Sequence, residues 1–162
     1  MSFTPHENKT IKVICSKDAS IGAPEMYAEY AKTLEEDLLE LKEGESPTRF
    51  VLKTVLDYKA QQKIQNMQIS YTDGDVGLKL GFVIEEIRMS LIDVEGPGAD
   101  SIRFKKDSDG YASKQLLELL AANGIVNDLY NARQGVMTAK GGESVQKKSQ
   151  PSLSSTSQAP QL

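Results

Sequence analysis

The chain has no tryptophan, one histidine, one cysteine and no long apolar run. Each shortage excludes a class of chemistry. His6 is the sole histidine and lies in a polar N-terminal stretch, so Ser–His–Asp and Cys–His relays and multi-histidine metal centres have nothing to be built from. A lone Cys15 cannot form an intramolecular disulfide, which suits a reducing compartment. It ends an apolar stretch and is expected to be a buried, inert thiol without a neighbouring base. The longest apolar run, Gly81-Phe82-Val83-Ile84, falls far short of the roughly 20 residues a membrane span needs. Met1 to His6 carry neither the basic nor the apolar region of a secretion signal. The expectation is a cytosolic protein that does not engage a membrane.

A concentration of positive charge is also missing. Nineteen basic residues against 23 acidic ones give a net charge of −4 and a pI near 5.1. The densest basic spots, Lys105-Lys106 and Lys147-Lys148, are only pairs, so no field for nucleic-acid binding is expected. Aromatics are 6% of the chain, which leaves the core to Leu, Ile and Val. At 162 residues the chain is long enough to bury such a core without disulfides or metals.

What is present alternates between strand and helix signals. Thr10 to Cys15 alternates apolar and polar β-branched residues and is predicted to be a strand. From Pro24, apolar residues at Tyr27, Tyr30, Ala31, Leu34, Leu38 and Leu41 have helical spacing. Gly44 and Pro47 break that pattern, and Thr48 to Thr54 forms a second predicted strand with Phe50 and Leu52 on one face. Asp57 is placed to cap a helix through Gln68 with Ala60, Ile64 and Met67 on its apolar face. Thr72-Asp73-Gly74-Asp75 marks a turn. Leu80, Val83, Ile84, Ile87 and Leu91 then form the clearest amphipathic pattern, stopped by Gly96-Pro97-Gly98. A short third strand is expected over Ser101 to Lys105, followed by a turn to Gly110. Ser113 is placed to cap a helix ending near Asn123 and buried through Leu116, Leu117 and Leu120. A last helix runs from Ile125 to about Gly135, burying Ile125, Leu129 and Ala132.

These elements predict an α+β fold: a helix-rich domain, residues 1–138, built on a small three-stranded sheet. Residues 139–162 are rich in Ser and Gln and hold too little apolar surface to offset their ordering entropy, so a disordered tail is expected there.

No motif supports catalysis, a cofactor or a metal. Aligning Gly110 of Asp107-Ser108-Asp109-Gly110 with the glycine of a calcium loop puts Lys105 and Leu116 where carboxylates are required. Gly74, Gly77 and Gly81 lack the Gly-Lys-Ser/Thr end of a phosphate loop. Glu35-Glu36-Asp37 and Glu85-Glu86 are consecutive on predicted helices and do not face one another, so both are expected to be solvated faces.

Leu38-Leu39-Glu40-Leu41-Lys42-Glu43-Gly44-Glu45-Ser46-Pro47-Thr48-Arg49-Phe50-Val51-Leu52-Lys53 runs from a leucine-rich helix end through an acidic Gly turn into Pro-Thr-x-Phe-x-Leu. An amphipathic helix, a Gly/Pro break, Ile102-x-Phe104 and a leucine-rich helix pair follow. Over residues 38–137 this succession resembles the tail assembly chaperones and related small structural-module proteins of tailed bacteriophages; residues 8–37 depart from it. The resemblance implies a mainly helical, non-enzymatic protein without cofactor. Such a protein binds other phage structural or assembly proteins during building of the tail or head–tail region, in the cytoplasm of the host bacterium. The alternatives are a permanent minor connector subunit of the virion, and a small enzyme working through carboxylates alone. Homo-oligomer formation is compatible with either binding role.

The expected contact surface is the C-terminal helix pair. Leu116, Leu117, Leu119 and Leu120 are too many for one narrow face, and Tyr130 and Val136 extend the apolar surface beyond them. Leu119, Tyr130 and Val136 are therefore the candidate protein-interaction residues.

Overall fold

In the computed structural model the backbone is described for residues 9–70 and 76–149, and side chains for residues 9–67 and 80–137. Among the described residues the fold is α+β, with six α-helices and one three-stranded sheet. The strands are β1 (Thr10–Val13), β2 (Arg49–Lys53) and β3 (Leu91–Glu95). They lie in the order β1-β2-β3, antiparallel throughout, with Val13 opposite Phe50 and Phe50 opposite Val94. The helices are α1 (Tyr27–Thr33), α2 (Tyr58–Ser70), α3 (Val76–Ser90), α4 (Ala99–Ile102), α5 (Lys114–Ala122) and α6 (Ile125–Ser149).

The main core joins Phe50 and Leu52 of the central strand to Phe82, Val83 and Ile87 of α3, Leu116, Leu117 and Leu120 of α5, and Val126 and Leu129 of α6. A second cluster gathers Ile14, Ile21, Tyr30 and Leu39. Two tyrosines complete it: the Ile14 amide donates to the Tyr30 hydroxyl at 2.9 Å, and the Tyr27 hydroxyl donates to the Ile14 carbonyl at 2.7 Å. Backbone groups just past the end of an edge strand are thereby satisfied without another strand.

Four expectations need correcting here. The helix predicted from Pro24 to Leu41 stops at Thr33, where Leu34 turns into the left-handed region at φ 60°. A continuous helix would carry Leu39 and Leu41 along a straight axis, away from Ile14 and Ile21. The turn instead brings Leu39 into the second cluster and lets Leu41 bridge Ile21.

The third strand is Leu91–Glu95, not Ser101 to Lys105. Leu91 fits the helical stripe of α3 equally well, but it pairs with Leu52 and gives β2 its second neighbour. At the end of α3 the Ser90 hydroxyl donates back to the Glu86 carbonyl, one turn earlier, at 2.9 Å. The chain then turns at Gly96, φ 98°, where a Cβ would collide with the Pro47 carbonyl oxygen. The short helix α4 occupies the first part of the segment assigned to a strand, although Ile102 and Phe104 still pack against the core.

The α3 stripe is also rotated from its expected setting. Leu80 is 56% exposed, whereas Phe82, absent from the expected stripe, is buried. The Ser113 cap is as expected: its Oγ accepts from the Leu116 amide at 3.1 Å. Helix α6 continues past Gly135 to Ser149, so the boundary expected at residue 138 falls within a helix; residues 150–162 and the turn at Thr72 to Asp75 lie outside the described residues, as does His6. Among the described residues no helix is long and apolar enough to cross a membrane.

Candidate protein-binding surface

Asp57 precedes α2 and caps it, its Oδ1 accepting from the Ala60 amide at 2.8 Å. The cap fixes where the helix begins and so projects its first residue, Tyr58, into solvent at 75% exposure. Two clefts meet at this ring. One, of about 490 Å³, lies between α2 and α6, with Leu56, Ile64 and Met137 among its walls and Glu86, Arg133 and Gln134 also lining it. The other, of about 600 Å³, lies between the end of β2, the start of α2, the beginning of β3 and the loop at residues 106–111.

Buried charge holds both clefts in shape. Arg133, only 2% exposed, donates from Nη1 to Glu86 Oε2 at 2.7 Å, from Nε to the Lys53 carbonyl at 2.9 Å and from Nη2 to the Thr54 carbonyl at 3.1 Å. Gln134 adds a donor to the same Glu86 oxygen at 2.6 Å. On the other side Arg88, 1% exposed, grips Asp109 with both terminal nitrogens, at 3.2 and 2.8 Å, and Glu85 through Nε at 2.7 Å. Its Nη1 also reaches the Ala112 carbonyl, and its guanidinium carbon lies 5.7 Å from the centre of the Tyr111 ring. The hydrogen bonds from Arg88 hold the Asp109 carboxyl down to about 2. Burial pushes Glu85 up, but hydrogen bonds from Arg88 and Lys63 outweigh it and lower its pKa.

The Glu85-Glu86 pair is thus not a solvated face. Glu86 is 4% exposed and ion-paired, and Glu85 is shared between Arg88 and Lys63. Glu36, from the other acidic run, pairs with Arg49 through two bonds at 2.7 and 2.8 Å. A sequence signal for Glu86 and Arg133 existed: Glu86 is three residues from Val83, and Arg133 is four from Leu129, so both lie on buried stripes. Nothing local marked them as partners, because 47 residues separate them.

The residues expected to form a contact surface have different fates. Leu119, 47% exposed, stands on the outer side of α5 while Leu116, Leu117 and Leu120 are buried beneath it. Tyr130 is half-buried and packs edge-on to Phe82, with ring centres 6.5 Å apart, so it serves the core. Val136 is half-buried on α6. Tyr58 and Met137 were missed: a single aromatic behind a helix cap carries no periodic signal, and Met137 lies on α6 past the helix end expected near Gly135.

Cys15 is buried, and burial together with the nearby Asp128 and Asp18 carboxylates pushes its thiol well above the ordinary range. Among the described residues no group of three or more His, Cys, Asp or Glu side chains is placed to hold a metal ion. No protein-family model matches the chain, and neither the curated proteins nor the solved structures provide a significant match.

Proposed function

We propose that this chain acts by binding another protein, without catalysis. The observation that carries the reading is Tyr58: a large aromatic side chain, three-quarters exposed, standing where two clefts meet. Exposed aromatics beside concave surfaces are the residues that anchor partner proteins. The nearby buried charges support it, because Arg88, Arg133, Glu85 and Glu86 are each consumed in ion pairs that shape the clefts. The resemblance of residues 38–137 to tail assembly chaperones supports a partner among the proteins of a phage virion, with a chaperone-like role in tail or head–tail assembly.

The test places a photo-crosslinking amino acid at position 58, and in a second sample at Lys32, in the full chain expressed from its native genetic context. One specific adduct from position 58 and none from position 32 is the expected result. An assembly chaperone gives that adduct in lysate and is absent from purified particles, whereas a permanent subunit is present in both. No adduct from position 58, or the same adducts from both positions, overturns the reading.

A further inference from the structure

The larger cleft has a lopsided charge balance. Lys53, Lys59 and Lys106 line it, and none of them is ion-paired with a described residue. The two carboxylates on the same walls are already engaged. Asp109 is held by both terminal nitrogens of Arg88. Asp57 caps α2, facing the positive end of the helix, and accepts the Tyr111 hydroxyl at 3.0 and 3.1 Å. What remains is a cleft of about 600 Å³ with three ammonium groups to offer, bordered by the exposed Tyr58 ring, on a chain whose net charge is −4.

We propose that this cleft takes an acidic linear segment of the partner protein, with carboxylates against the lysines and an apolar side chain against Tyr58. The inference rests on the protein-binding reading and names the chemistry of the partner. An extended peptide brings every second side chain to the same side at a spacing of roughly 7 Å, so separate carboxylates can meet separate lysines. A nucleic-acid backbone fits less well: its continuous negative charge would run past Asp57 and Asp109, on a chain whose overall charge is itself negative.

The experiment is fluorescence anisotropy on the full chain with a fluorescein-labelled peptide, Gly-Glu-Phe-Glu-Asp-Glu-Gly. The controls are the same peptide with Gln and Asn for its acids and an oligo-thymidine of similar length. Saturable binding that weakens with salt is expected, with affinity about tenfold lower in Lys59→Glu/Lys106→Glu, as reversed charges at a contact require. Lys32→Glu/Lys42→Glu makes the same charge change at exposed positions elsewhere and should bind almost as wild type. All four side chains are exposed, so circular dichroism should show both variants folded. Equal losses in the two variants, equal binding of the neutral peptide, no saturable binding, or tighter binding of the oligonucleotide each overturn the proposal. If Lys59→Glu/Lys106→Glu still gives the position-58 adduct at wild-type yield, the cleft chemistry falls while the binding role stands. Absence of any wild-type adduct removes the binding role itself.

Discussion

Arg133 on α6 and Glu86 on α3 form an ion pair of 2.7 Å in which neither residue is more than slightly exposed. The remaining donors of Arg133 reach the carbonyls of Lys53 and Thr54, so one guanidinium ties the last helix to α3 and to the end of the central strand. Such a pair adds little over a well-packed apolar pair of the same shape, because both charges had to leave water. Its weight appears when one partner is removed.

Arg133→Met should therefore lower the unfolding free energy by about 3–5 kcal/mol, leaving Glu86 buried and unpaired. Glu86→Leu combined with Arg133→Met should recover much of that loss. Urea unfolding of wild type, both single variants and the double variant measures the coupling. Additive losses would show that the two charges do not depend on each other.

Acid should weaken the loop that Arg88 holds. A carboxylate whose folded pKa is depressed contributes stability above its ordinary value and loses it as pH falls toward the folded one. For Asp109 that window runs from its ordinary 3.8 down to about 2. Glu85 is also lowered from 4.5 and contributes in the same direction. Asp109→Asn should thus be less stable than wild type at neutral pH, with a shallower decline below pH 4. Thermal melts across the acid range check this, and parallel curves for the two proteins would remove Asp109 from the account.

The rotated stripe of α3 separates two leucine-like positions that look equivalent in sequence. Ile87 is fully buried in the main core, whereas Leu80 is mostly exposed. Ile87→Ala should cost about 2–5 kcal/mol through lost burial and a residual cavity. Leu80→Ala should stay within about 0.5 kcal/mol of wild type. The urea midpoint of Leu80→Ala decides between this setting and the expected stripe, which begins at Leu80 and buries it.

Cys15 tests the main core just past the end of β1. The thiol is buried and its pKa is pushed up by burial and by neighbouring carboxylates, so little reactive thiolate is available. A maleimide should label it slowly in native buffer and rapidly in urea. Fast native labelling would mean that the segment around Cys15 opens readily.

Where the signal was local, the sequence sufficed. β1, β2, the Asp57 and Ser113 caps and the leucines of α5 follow from alternation, capping residues and helical spacing within short windows. The failures all involve a distant partner. Leu91 suits a helix or a strand, and the unpaired edge of β2 makes the choice. Leu34 suits a longer helix, and the pull of Ile14 and Ile21 on Leu39 ends it. Among the exposed side chains, Leu119 is legible in sequence as one leucine more than the buried face of α5 holds. Tyr58, Lys59 and Lys106 are not, because only the folded chain brings α2 and the 106–111 loop to one cleft.

The two candidate contact surfaces can be told apart by stability as well as by binding. Leu119 is exposed on α5, so Leu119→Asp should change stability by no more than about 0.5 kcal/mol. Tyr130 packs edge-on against Phe82 and onto the core, so Tyr130→Ala should cost about 1–3 kcal/mol from lost apolar burial and ring contact. Loss of partner capture in Tyr130→Ala alone therefore reports on folding. Loss in Leu119→Asp, with unchanged circular dichroism and urea midpoint, would instead place a contact on α5. If the clefts beside Tyr58 form the surface, Tyr58→Ala should abolish the photo-adduct formed from a crosslinker at Gln62 while Leu119→Asp leaves it at wild-type yield. The opposite pattern, with the adduct surviving Tyr58→Ala and vanishing in Leu119→Asp, would move the binding surface to the C-terminal helix pair.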